Sequence, residues 1–456
     1  MSVTVLPPYS SCALSTNAAG TSDSSSLPPT YSTAPSDGEE TVAFTPRAGA
    51  TNPTGTFKRD WPQATLILKD QEEGTRLPTY GRGGRVIGEL GVKNLETVSR
   101  VTVKLFGQMN LSVADSGSAS VILVSESRIL WKQLQNDQTG ATSELKCPSL
   151  LPIHIPIPQT YELHGKLWRL PPSYEATFLG IPALFVRCLY TLSITVTRTR
   201  SYRLASWTTS KTYVTMLNYR PRTRPHRPII MLDSVFASIK PVPDDWQQLM
   251  ANMHSRPKSG MKHIECHLFI PSIQTFALTE VIPFHLQLCS SLASLQELLP
   301  PSSPQLKLRN SKWGDCLQKD HSIRVYIVRQ VLVEINGRRR FRTFTIGSSK
   351  MWPVPPVVHN GASSHGTWKD YDSASGEAGA DTDDICLDWQ GEVKCWPEVN
   401  SGGFSVGNLV VKDFLILALV PPNPRSCSLI PLQLSHAIRL VTDSWVDVDS
   451  LHPGDT

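Results

Sequence analysis

Short runs in which apolar and polar residues alternate recur along most of this chain, and they predict strands. In Arg100-Val-Thr-Val-Lys-Leu-Phe, residues Val101, Val103 and Leu105 fall on one side and Thr102 and Lys104 on the other, the period of two that a half-buried strand needs. Tyr190, Leu192, Ile194 and Val196 repeat the pattern with Thr and Ser between them. After about residue 229 the alternation restarts, with strand-like runs at His263–Ile270, Val281–Leu288, Ile323–Ile335 and Phe414–Val420. The third run ends at Asn336-Gly337, a dipeptide suited to a tight hairpin turn because both residues tolerate positive φ. Helical periodicity is scarce, and the best helix candidates are Asp244–Met253 and Ser290–Leu299.

Segments that cannot join such strands mark the organisation. Residues 1–57 hold 31 Ser, Thr, Pro or Gly and no basic residue before Arg47, too little apolar surface to offset the entropy of ordering, so 1–60 is expected to be a disordered arm. Strand grammar starts at about Trp61. Residues 221–228, Pro-Arg-Thr-Arg-Pro-His-Arg-Pro, carry three prolines that a sheet interior would reject and are expected to connect two domains, 61–220 and 229–450. Within the second, residues 359–384 contain six acidic residues among Gly, Ser and Ala and are expected to form a solvated insert. The fold class expected is all-β: two consecutive antiparallel β-sandwich domains of immunoglobulin-like type.

Composition narrows the function. Net charge is +5 in 456 residues, too diffuse to favour a nucleic-acid partner. No apolar stretch approaches the roughly 20 residues of a membrane-spanning helix, and the first residues lack the basic start and apolar block of a secretion signal. Nine cysteines without a Cys-x-x-Cys pair read as reduced, buried thiols and not as a disulfide framework or zinc site. Together these place the protein in the cytoplasm.

Several local patterns carry chemistry. Leu27-Pro28-Pro29-Thr30-Tyr31 contains Pro-Pro-x-Tyr, which WW domains bind because paired prolines pre-set a polyproline II backbone and the tyrosine fills a neighbouring pocket. A second copy, Pro171-Pro172-Ser173-Tyr174, leads straight into strand-like residues and reads mainly as structural. The cluster Tyr80–Gly88 lacks phosphate-loop spacing and reads as a tight turn entering a strand. His263, Glu265 and His267 share one strand face, but no second ligand cluster completes a metal site. Neither a nucleophile elbow nor a kinase-like set appears, which gives an enzyme on a β-sandwich little support, and no cofactor is expected. Basic residues gather at Arg198 and Arg200, at Arg222, Arg224 and Arg227, and at Arg338, Arg339 and Arg340. Brought together by folding they would attract acidic cargo tails, phosphorylated residues or anionic lipid headgroups.

Several of these pieces, in order, resemble the α-arrestins, the arrestin-related trafficking adaptors. Tyr80–Gly88 followed by Leu90 is similar to that family's Tyr-x-Pro-Gly-x-x-Val-x-Gly opening, and Val101–Gly107 to the next strand. Leu170–Glu175 resembles the Leu-Pro-x-Ser-Phe segment, and Arg187–Arg198 the strand after it. Ile264–Pro271 and Glu280–Leu288 resemble paired strands of the C-domain, so the likeness spans about 61–450. Arg82 stands where the family has proline, and the family's WW-binding motifs sit in a long C-terminal tail. The resemblance implies an arrestin-like adaptor that binds cytoplasmic regions of transporters or receptors. Pro28, Pro29 and Tyr31 would recruit a HECT-type ubiquitin ligase, promoting ubiquitination and endocytosis at the plasma membrane or endosomes. An anionic membrane surface is expected as a further partner. The rival reading keeps the fold without the ligase, as a retromer-like cargo-sorting scaffold.

Overall fold

The computed structural model describes residues 53–133, 146–202, 205–229, 239, 241–299, 322–354 and 384–445, all within one compact unit, Thr41–Thr456. These residues are almost entirely β, in large antiparallel and mixed sheets. In the first half one sheet runs β1 (Gly55–Trp61), β2 (Ala64–Gln71), β4 (Arg85–Val92) and β7 (Leu150–Pro156). A second runs β3 (Thr79–Tyr80), β12 (Ala205–Tyr219), β11 (Leu184–Tyr202), β5 (Val98–Val113) and β6 (Gly117–Lys132), with β10 (Tyr174–Phe178) also on β11. The strands β8 (Thr160–Leu163) and β9 (Lys166–Arg169) form a separate hairpin. Residues from both sheets, among them Leu66, Leu90, Val103, Leu105 and Ile194, merge into one core in which each is at most 1% exposed. Burying a Leu or Ile side chain contributes about 1.5–3 kcal/mol, so these alternating faces carry the sandwich.

The second half is a single curled sheet. Its path is β13 (Trp246–Met253), β14 (Ile264–Pro271), β16 (Val281–Ser290), β19 (Ile385–Cys395), β18 (Arg338–Val354), β17 (Ile323–Ile335), β21 (Leu409–Leu419), β22 (Leu432–Val441) and β15 (Thr275–Ala277), with β20 (Phe404–Val406) on β21. The curl is made by β18, whose first part pairs with β17 and whose last part pairs with β19, the handover falling at Gly347 and Ser348. Gly347 is needed there, because a Cβ would lie 2.5 Å from the Lys394 carbonyl. The fold closes around a second core that includes Leu268, Phe284, Leu286, Val325 and Leu417.

Three sequence expectations change. Trp246–Met253 is an edge strand, not a helix, because its whole length pairs with β14, and that pairing outweighs the helix-forming tendency of its Gln, Leu, Met and Ala. Cys289 and Cys386 form a disulfide between facing residues of β16 and β19, so not every cysteine is a reduced thiol; Cys147, Cys188, Cys266, Cys395 and Cys427 are free and buried. The first strand starts at Gly55, ahead of Trp61. Ser290–Leu299 does hold a helix, α1 (Leu292–Leu298), whose N-cap Ser291 accepts a hydrogen bond from the Ser294 N–H. The Asn336-Gly337 turn joins β17 to β18 with φ of 52° and 72°.

Candidate functional site

Along β17 the odd-numbered residues from Ile323 to Ile335 all face inward, and one of them is charged. Ile323, Val325 and Ile327 belong to the second core, Val331, Val333 and Ile335 to the first, and Arg329 stands between them. Strand β21 repeats the arrangement, with Leu409 and Val411 in the first core, Leu415, Leu417 and Leu419 in the second, and Asp413 between. The antiparallel register sets Arg329 opposite Asp413, each 2% exposed. A strand period of two leaves neither side chain a route to water, so each charge survives only through the other. Arg329 Nε donates to Asp413 Oδ1 at 2.7 Å and Nη2 to Oδ2 at 3.1 Å, a two-pronged pair, and Nη2 also donates to the Ser401 carbonyl at 2.9 Å. Burial alone would lower the Arg329 pKa, but the Asp413 charge and its hydrogen bonds outweigh it and the net direction is up. Burial pushes the Asp413 carboxyl up against the pull of Arg329, so its ionised form depends on that guanidinium.

This pair sits where the two cores meet, beside an open cleft of about 490 Å3 that Arg329 lines. Tyr174 and Cys188 of the first half face Phe344, Trp396 and Ser401 of the second across it. Burial pushes the Tyr174 hydroxyl up to about 12, with Arg329 drawing it down and Asp413 pushing it up. Cys188 and Cys395 are likewise pushed up to about 12 by burial, so at neutral pH they are protonated and not nucleophiles. The Tyr174 ring also lies edge to face against Phe404, centroids 5.4 Å apart.

A second junction lies at the β17–β18 turn. Asn336 Nδ2 donates to the Ser116 carbonyl at 3.2 Å, Arg340 Nε meets Asp115 Oδ2 at 3.0 Å, and Arg342 Nη2 donates to the Pro182 carbonyl at 2.5 Å. The β17–β18 hairpin of the second half therefore rests on two loops of the first. Hydrogen bonds from Ser116 and then Arg340 hold the Asp115 carboxyl below its usual range.

The residues singled out from sequence fall in different places. Leu27, Pro28, Pro29 and Tyr31 lie outside the described residues, as does the insert at 359–383. Pro171, Pro172 and Tyr174 are buried: the Tyr190 hydroxyl donates to the Pro171 carbonyl at 2.7 Å, and Tyr174 opens β10 opposite Cys188. In the fold this copy of Pro-Pro-x-Tyr presents no tyrosine to a WW groove. Arg198 is also buried, with its guanidinium on the Lys93 and Asn94 carbonyls. Arg222 pairs with Glu72 and Arg227 with Asp245, while Arg224 is half-buried between them. Arg339 pairs with Glu334, and Arg338 donates to the Asp115 carbonyl. The two basic clusters are thus anchored on different acids in different parts of the fold. The 221–228 connection is stitched to the residues that follow β22, the Thr223 N–H donating to Thr442 Oγ1 at 2.8 Å and the Asp443 N–H to the Thr223 carbonyl at 3.0 Å. His263 lies 3.5 Å from Glu265 and His267 bonds Gln248; among the described residues no cluster of three or more metal-ligating side chains occurs. No described helix is long and apolar enough to cross a membrane.

Sequence reasoning missed Arg329 and Asp413. The signal was present as a charged residue at an inward position of each apolar alternation, but only the register shows that the two meet. No family model matches the chain, and no curated protein matches it.

Proposed function

We propose that this chain is an arrestin-like trafficking adaptor. Its β-frame would bind cytoplasmic regions of transporters or receptors at the plasma membrane or endosomes, and Pro28, Pro29 and Tyr31 would engage WW domains of a HECT-type ubiquitin ligase. Two separate weak contacts suit this task, because joint binding raises the effective concentration of ligase near cargo. The observation that carries the reading is where the resembling motifs fall: Val101–Gly107 within β5, Arg187–Arg198 within β11, and Leu170–Glu175 at the entry to β10, three neighbours in one sheet. Tyr80–Gly88 spans β3 and the turn into β4, and Ile264–Pro271 and Val281–Leu288 fall on the adjacent strands β14 and β16. Burial of Tyr174 leaves Tyr31 as the tyrosine that this function requires.

The test is binding of HECT-ligase WW domains to the full chain and to a peptide covering Ser22 to Pro35. Binding abolished by Tyr31→Ala and retained in Tyr174→Ala supports the adaptor. Equal loss from both substitutions refutes the division of roles. Absence of WW binding, with recovery of a stable coat-like complex, moves the assignment to the cargo-sorting scaffold.

A further inference from the structure

The loop between β10 and β11 exposes two large aliphatic side chains at its tip. Leu179 is 90% exposed and Ile181 98%. The base of the loop is fixed: Phe178 pairs with Leu184, its ring lies 5.4 Å from that of Phe344, and Arg342 holds the Pro182 carbonyl. The Ala114 N–H donates to the Ala183 carbonyl, tying the loop to the β5–β6 turn, which in turn receives Asn336 and Arg340 of the β17–β18 hairpin. Three connections from the two halves therefore meet at one junction, and the two aliphatic side chains are exposed beside it. The hairpin brings Arg338, Arg339, Arg340 and Arg342 to the same junction, against the carboxylates of Asp115 and Glu334. Four guanidinium groups facing two carboxylates leave this tip positively charged. Phe341, on the outer face of the hairpin, is 59% exposed.

We infer that this tip is a membrane-contact site, at which Leu179 and Ile181 enter the interfacial region of an anionic bilayer while the β18 arginines engage lipid headgroups. Two features select a bilayer over a protein partner. The apolar side chains stand on a projecting loop and not in a groove, so a partner protein would have to supply a matching pocket, whereas a bilayer accepts a convex apolar point without one. The surrounding charge is positive, with four guanidinium groups against two carboxylates, as attraction to an anionic leaflet requires. The inference deepens the adaptor reading by giving the frame its own hold on the membrane where cargo resides, but it needs neither ligase nor cargo.

Vesicle flotation of the full chain tests it, with vesicles of phosphatidylcholine alone or mixed with phosphatidylserine. The expected result is binding to the anionic vesicles that weakens with salt. It falls about tenfold or more in Leu179→Ser/Ile181→Ser, which removes the apolar anchors. It falls about fivefold for each of Arg338→Gln and Arg339→Gln. Because these side chains are solvent-exposed, thermal midpoints should be unchanged, and Tyr31→Ala should bind vesicles like the parent, which separates this site from WW recruitment. Parent-level binding by the Leu179→Ser/Ile181→Ser variant, or failure of the parent to bind anionic vesicles, overturns the assignment. So does self-association of the parent that the same double substitution abolishes.

Discussion

Replacing Arg329 by methionine keeps most of the side-chain volume and removes the guanidinium, which isolates the consequence of leaving Asp413 alone between two apolar cores. The substitution deletes both bonds to Asp413 and the bond to Ser401, while the carboxyl stays 2% exposed. Stranding one partner of a buried pair costs about 3–5 kcal/mol. Protonation limits the cost: with an unfolded pKa near 3.9, holding the carboxyl neutral at pH 7 takes about three units at about 1.4 kcal/mol each, or about 4 kcal/mol. The sign follows from the raised folded pKa. The folded variant keeps a proton that the unfolded chain has lost, so its stability declines as pH rises above about 4 and recovers as pH falls, with the penalty near about 1.5 kcal/mol at pH 5. The parent shows a smaller slope, because Arg329 opposes the rise of Asp413. Urea unfolding followed by far-ultraviolet circular dichroism at pH 7 and pH 5 reads both numbers from the shift in midpoint. A loss below about 1 kcal/mol at pH 7, or a loss that does not shrink at pH 5, refutes the reasoning.

Three further outcomes follow from single sites. Gly107→Ala would place a Cβ 2.7 Å from the Tyr190 ring, and turning that ring breaks its hydroxyl bond to Pro171; the expected loss is about 1–3 kcal/mol in urea, with most of it relieved when Tyr190 is shortened to Leu. Tyr174, pushed up to about 12, stays protonated in the fold while the unfolded chain ionises near 10. Its contribution to stability is therefore complete below pH 10 and falls by about 2–3 kcal/mol between pH 10 and 12; Tyr174→Phe should remove that share of the alkaline slope and leave the share of the other buried tyrosines, Tyr80, Tyr161 and Tyr190, in parallel unfolding and 295 nm absorbance titrations. The Cys289–Cys386 bond links positions 97 residues apart, so reducing it should lower stability by about 2–4 kcal/mol, and Cys289→Ser/Cys386→Ser should unfold identically with and without reductant.

The strands were legible where one face is wet, because alternation of Val101, Val103 and Leu105 with polar neighbours is itself the imprint of half burial. The Asn336-Gly337 turn was legible for a similar reason, since tolerance of positive φ is a local requirement written into single residues. Trp246–Met253 was misread because its decisive contact is β14, on the far side of the 254–263 loop, while its own residues favour a helix. The disulfide was beyond reach, as nothing local to Cys289 indicates a partner in β19. Nothing local marks Leu179 and Ile181 as exposed, and only the geometry of the β10–β11 loop shows it. The basic clusters were visible as composition, but their meaning depends on acids far along the chain, Asp115 for Arg340 and Glu72 for Arg222.

Why a charge pair should occupy the boundary follows from the geometry of two strands shared by two cores. Without Arg329 and Asp413, β17 and β21 would each present an unbroken apolar series, and sliding one past the other by two residues would keep every apolar side chain facing inward. With the pair, such a slip sets Arg329 opposite Val411 and Asp413 opposite Ile327, or Arg329 opposite Leu415 and Asp413 opposite Val331, burying two unpartnered charges. The double substitution Arg329→Met/Asp413→Leu separates the two roles, since replacing a buried pair by well-packed apolar residues is neutral or stabilising. Its urea midpoint is therefore expected within about 1 kcal/mol of the parent, far above that of Arg329→Met, while amide exchange along β17 and β21 becomes faster as alternative registers are populated. A double variant as unstable as the single one, or one whose exchange in these strands matches the parent, would show that the pair does not set the register.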